Sequence, residues 1–144
     1  MKKTLHITVF DPPVEFKADG VEAVYKLLLK SPAGGDDMRA QHEYMTVLFL
    51  DNKNRLLKRQ DWGPGGLNQN TIYPGVIARI ALLIGAVNII LAHNHPSGIL
   101  EASADDIDMT KKVKEGLNIL GIIVLDHIIY TNKYYFSFLQ EKIL

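Results

Sequence analysis

The chain has 144 residues, 47% of them hydrophobic and 22% charged, with Lys plus Arg and Asp plus Glu balanced at 16 each. That composition belongs to one soluble globular domain, large enough to bury about two thirds of its unfolded surface, and a net charge of zero leaves nothing global to draw a polyanion. The absence of cysteine excludes a disulfide scaffold, a thiol nucleophile and any cysteine-ligated zinc site.

Lys2 and Lys3 precede apolar residues as in a signal peptide, but Leu5, Ile7 and Val9 alternate with His6 and Thr8, and Asp11-Pro12-Pro13 stops the run. Thr4 to Phe10 is therefore expected to be a strand. Asp19 is placed to cap a helix from about Val21 to Leu29, in which Val21, Val24, Leu27 and Leu28 fall at helical spacing. The loop Ser31 to Asp37 breaks that helix. Residues 1–36 are too few for a core of their own and read as a strand–helix extension packed on a main domain, residues 37–144.

Glu43 to Leu50 reads as a strand, Asp51 to Asn54 as a turn and Arg55 to Gln60 as the return strand of a hairpin. Lys53, Arg55, Lys58 and Arg59 make a small basic cluster, but no aromatic residues interleave with it. A solvated hairpin face is favoured over a nucleic-acid patch. Trp62-Gly63-Pro64-Gly65-Gly66 is a glycine-rich loop without the lysine and Ser/Thr of a P-loop. Pro74 to Ile84 is apolar almost all round and is expected to be the most buried helix, ended by Gly85. The longest apolar stretch, Val76 to Ala92, is interrupted by Arg79 and Asn88 and is too short and too polar to span a bilayer, so a cytoplasmic protein is expected.

The stretch with the most chemistry is Ala92-His93-Asn94-His95-Pro96-Ser97-Gly98. An apolar run from Val87 leads into it as a buried strand of a parallel or mixed sheet, so His93 and His95 can point the same way. Pro96 and Gly98 then open a loop, and Ser103 begins a helix reaching about Leu120, with Asp106 in its first turn. Two imidazoles and one carboxylate converging at a strand end make a three-ligand site. Zinc held so, with water in the fourth position, is the open catalytic pattern. Ser103 and Asp106 also fit an N-cap with an acid in the first turn, and the two readings agree, because a cap that fixes the helix start aims Asp106.

Ile122 to Ile129 is a second near-continuous apolar strand, interrupted by Asp126-His127. With three ligands already assigned, a hydrogen-bonded structural pair is the preferred reading for these two. Tyr134 to Ser137 is a short last strand and Phe138 to Ile143 a short terminal helix. His6 and His42 have no motif partners.

The spacing H-x-H-x7-S-x-x-D resembles the JAMM motif of the JAB/MPN metalloproteins. The string HNHPSG, with Leu125-Asp126-His127 downstream, resembles the RadC branch of that superfamily, over about Glu43 to Ser137. The resemblance implies an α/β (α+β) single domain, a mixed β-sheet flanked by helices in the JAB/MPN, cytidine-deaminase-like architecture. It implies one zinc ion on His93, His95 and Asp106, with Ser103 helping to hold an oxyanion. Glu43 would act as general acid/base, on the pattern Glu-Tyr-Met-Thr-Val-Leu-Phe-Leu-Asp, and Asp126 or His127 could orient neighbouring groups. Where the family has Pro-Arg-Glu at a helix start, this chain has Pro74-Gly75-Val76.

The implied function is a zinc-dependent metallohydrolase, a metallopeptidase or isopeptidase with a protein or peptide substrate; iron or manganese also suits such ligands. Two alternatives stand beside it. One is a DNA-repair-associated role or metal-dependent nuclease, disfavoured by neutral charge and by the lack of the helix-hairpin-helix region of longer family members. The other is a catalytically silent interaction module, disfavoured by the intact His93, His95, Ser103 and Asp106 set.

Overall fold

The computed structural model describes residues 16–30, 41–63 and 74–144. The expected strand at 4–10, the loop at 31–37 and the glycine loop beyond Gly63 lie outside the described residues. The elements run α1 (Val21–Leu29), β1 (Met45–Leu50), β2 (Leu56–Trp62), α2 (Pro74–Ile84), β3 (Asn88–Asn94), α3 (Ala104–Asn118), β4 (Ile123–Tyr130) and β5 (Tyr135–Ser137). The five strands form one mixed sheet in the order β2-β1-β3-β4-β5. Only β3 and β4 are parallel; the other neighbours are antiparallel. The α3 crossover joins the parallel pair, as parallel pairing requires.

Side chains alternate across the sheet and sort into two cores. Val47, Phe49, Ile89 and Leu91 pack against Ile77 and Ala81 of α2 and Val113 and Leu117 of α3. Leu48, Leu50, Ile90 and Ala92 pack on the opposite face against Val24 and Leu28 of α1. Both faces of β1 and β3 are thus covered, which explains why their sequences read as continuous apolar runs. At Gly116 a Cβ would lie 2.9 Å from the Cβ of Pro74, so glycine sets how closely α3 meets the start of α2.

The β3–β4 register slips once, with Ile89 opposite Val124 but Ile90 opposite Asp126. This bulge at Leu125 changes the parity of β4. Val124 and His127, three residues apart, therefore both face α2 and α3. No helix among the described residues is long and apolar enough to cross a membrane.

Several expectations are corrected. The N-cap of α1 is Gly20, not Asp19, and no side chain caps it. Helix α2 is buried along one face only: Leu82 and Leu83 on the other are 61% and 66% exposed. Strand β1 begins at Met45, so Glu43 and Tyr44 precede the ladder. Residues 138–142 form successive turns, not a helix. There Phe138 donates its N–H to the His127 carbonyl, Leu139 donates to the Asp126 carboxylate, and Lys142 takes a positive φ of 59°. The later N–H groups bond irregularly, Lys142 to the Leu139 carbonyl and Ile143 to that of Phe138, so no run of regular i to i−4 bonds is set up.

The hairpin cations are partly structural. Arg55 pairs with Asp51 at 2.6 Å. Arg59 donates its Nε–H to Asp61 and a guanidinium N–H to the carbonyls of Leu27 and Lys30, satisfying the C-terminal end of α1 from β2. Its side chain is only 10% exposed. Arg59→Met is expected to cost about 2–3 kcal/mol, because Asp61 loses its cation and two carbonyls lose a donor. That corresponds to a fall in Tm of roughly 6–12 °C by calorimetry, whereas Lys58→Met should leave Tm within about 2 °C, as surface changes do.

Candidate metal centre

The centre lies at the C-terminal end of β3, where three segments meet. β3 supplies His93 on the α2/α3 face, and the chain turns immediately after it to bring back His95. Helix α3 supplies Asp106 through a reciprocal capping box. The Ser103 Oγ accepts the Asp106 N–H at 3.0 Å, and Asp106 Oδ2 accepts the Ser103 N–H at 2.9 Å. The cap and the aimed carboxylate are thus one arrangement. One stripe of α3, Asp106, Thr110, Val113 and Leu117, is buried, polar at the centre and apolar beyond it.

Glu43 is placed by Asn94. The Asn94 side chain accepts the Tyr44 N–H at 2.7 Å and donates to the His42 carbonyl at 2.9 Å, gripping the backbone on both sides of Glu43. The Glu43 carboxylate then lies 3.7 Å from His93 Nε2. Ligand atoms of Glu43, His93 and His95 all fall within 4.8 Å of one another, a grouping that could hold a metal ion. Asp106 Oδ1 is 3.3 Å from His93 Nε2, and Oδ2 is 3.9 Å from His95 Nε2.

Hydrogen bonds assign the tautomers. Thr110 donates its hydroxyl to the Asp106 carbonyl at 2.6 Å, so its oxygen accepts from His127 Nδ1 at 2.5 Å. His127 Nε2 is then a bare acceptor and receives the Nδ1–H of His93 at 2.8 Å. That leaves His93 Nε2 bare. His95 donates its Nδ1–H to the Ile99 carbonyl at 2.6 Å, leaving its Nε2 bare as well. The two bare nitrogens face each other at 2.8 Å beside two carboxylates. Among the described residues, four acceptors converge in this tautomer set with no donor between them, an arrangement that a bound cation satisfies. The donor atoms, two imidazole nitrogens and carboxylate oxygen, suit zinc, iron or manganese.

Electrostatics follow from the same contacts. Burial holds the Glu43 carboxyl above its ordinary range; Asp106 adds to this and the imidazoles oppose it. Burial alone would raise Asp106, but its close contact with His93 and the donors of Ser103 outweigh it and hold that carboxyl low. His127 is fully buried, and desolvation together with any charge on His93 keeps it neutral.

All five expected residues, Glu43, His93, His95, Ser103 and Asp106, are brought to this one place. Thr110 and Asn94 went unread in the sequence. Asp126 and His127 are not paired through their side chains: Asp126 accepts from the backbone of His127 and Leu139 and from the Ser137 hydroxyl, while the His127 ring serves His93. A cleft of about 340 Å³ opens beside His95, between Pro96 and Gly98 on one side and Tyr130 to Tyr134 on the other.

The profile of the RadC-like JAB domain matches residues 19–143. The UPF0758 protein of Actinobacillus succinogenes is 44% identical over 101 residues, 70% of this chain and 46% of the relative. That of Methanococcoides burtonii is 42% identical over 99 residues, 69% of this chain and 43% of the relative. The chain spans less than half the length of these curated relatives.

Asn94→Ala is expected to destabilise the fold by about 1–3 kcal/mol, since two backbone groups lose their partner. The Tyr44 amide should exchange with solvent at least about tenfold faster by NMR. Unchanged exchange at Tyr44 would show that Asn94 does not place Glu43.

Proposed function

For a chain that belongs to the RadC-like JAB domain family, we propose the function of a zinc-dependent hydrolase acting on amide or isopeptide bonds of a protein or peptide. The observation that carries this reading is the pair of bare imidazole nitrogens, 2.8 Å apart and flanked by the carboxylates of Asp106 and Glu43. His93, His95 and Asp106 would hold the ion. When bound, zinc lowers the pKa of water from near 16 to about 7 and polarises a carbonyl.

The chain's own residues supply the rest. Glu43 is partly exposed and its pKa is raised by burial, as suits a group that accepts a proton at Oε1 and returns it to a leaving nitrogen. The Ser103 oxygen accepts the Asp106 N–H, which leaves its O–H to donate to a developing oxyanion. The cleft beside His95 offers room for a substrate segment next to one of the histidines. Among the described residues, the hairpin cluster gives weaker support to a nucleic-acid substrate, because Arg59 is engaged within the fold and Arg55 is paired with Asp51.

Elemental mass spectrometry should find about one zinc per chain, lost in His95→Ala. Glu43→Gln should keep its zinc and its Tm while turnover of a peptide or isopeptide substrate falls about 10²–10⁴-fold. Full turnover in Glu43→Gln would remove the general-base assignment. No zinc in the wild type after incubation with the ion would remove the metal reading.

A further inference from the structure

We propose that Thr110 and His127 are positioning residues: a buried relay from the Asp106 carbonyl through both side chains sets which nitrogen His93 presents to the metal, and so sets the affinity of the centre. The inference rests on the metal reading above and extends it to two residues that touch no metal.

The relay is closed and directional. The Asp106 carbonyl can only accept, so Thr110, 2.6 Å away, spends its single proton there. His127 must then carry its proton on Nδ1 to meet the Thr110 oxygen, which leaves Nε2 to accept from His93 Nδ1 at 2.8 Å. Each step dictates the next, and the last exposes the lone pair of His93 Nε2 to the site. The relay also begins on the main chain of one expected ligand, Asp106, and ends on the ring of another, His93. Movement of α3 along the sheet would therefore disturb both ligands together.

The surroundings allow no substitute partner. Thr110 and His127 are 3% and 0% exposed, so water cannot replace either bond. The His127 ring is held by Phe138, stacked at 4.5 Å with an interplanar angle of 29°. The bulge at Leu125 turns His127 to this face of the sheet. An imidazole without this support would divide its proton between two nitrogens and present the wrong one for part of the time.

The test compares Thr110→Val, which keeps the shape and removes the hydroxyl, with Thr110→Ser, which restores it, and with His127→Phe. Zinc affinity is measured by competition with a chromophoric chelator. The tautomer of His127 is read from imidazole nitrogen shifts by NMR, with or without zinc. Thr110→Val should weaken zinc binding several-fold and His127→Phe about 10–100-fold. Thr110→Ser should match the wild type. His127 should be the Nδ1–H tautomer in the wild type and Thr110→Ser, and lose that preference in Thr110→Val. Wild-type affinity in folded Thr110→Val, or an Nε2–H tautomer in the wild type, would overturn the relay while leaving the metal reading intact. Should His127→Phe not fold, the Thr110 pair decides alone. A wild type that binds no zinc overturns the metal reading and the affinity claim together, and the His127 tautomer then tests the geometry of the relay separately.

Discussion

The burial of β3 on both faces, between antiparallel β1 and parallel β4, is the constraint on which the centre depends. A strand enclosed in this way can shift neither sideways nor in register without moving every apolar side chain to the wrong face. Its last two residues inherit that rigidity. His93 lies against Met45 of β1 and Ile129 of β4, so its imidazole stands on a base that two neighbours define. A site built on a loop would lack this; of the two histidines, His95 is the one that stands beyond the strand.

Such a strand end is an awkward place for polar groups. His93, Asn94, Asp106, Thr110, Asp126 and His127 are all buried, and an unpaired polar group there would cost several kcal/mol. The fold resolves this by giving each a specific partner: Asn94 takes main-chain groups beside Glu43, Asp126 takes those of the terminal turns, and His127 takes Thr110 and His93. Among the described residues, the lone pairs on His93 Nε2 and His95 Nε2 face each other with no donor between them in this tautomer set. Unmatched acceptors concentrated at one point, while their surroundings are matched, distinguish a ligand site from a polar core.

The opposite face carries a different kind of fastening. Helix α1 has no side-chain N-cap, and its other end is met by Arg59 from the edge strand β2. The same guanidinium is neutralised by Asp61, which also accepts the hydroxyl of buried Thr46. A helix short enough to be marginal alone is thus held by Val24 and Leu28 in the core and by one cation at its end.

The parts legible in the sequence were those set by local chemistry. Apolar runs marked β1, β3 and β4; Gly85 and Gly121, both at φ 72°, marked the ends of α2 and α3; Ser103 and Asp106 announced their capping box by spacing alone. His93 and His95 could be paired because a strand alternates its faces. The parts decided only in three dimensions depend on partners far along the chain. Asn94 grips Glu43 across fifty intervening positions, which no spacing rule relates. A one-residue bulge set the face of His127, and an alternation pattern cannot show where a ladder slips. Phe138 to Ile143 had the composition of a helix, yet Phe138 and Leu139 are tied to β4 and Lys142 takes a positive φ, so the segment closes in turns. The sequence by itself determined which residue types could make a metal centre and which helix would carry the carboxylate. The tertiary structure decided which nitrogen each histidine presents, because a tautomer is set by its hydrogen-bond partner and not by its neighbours in sequence.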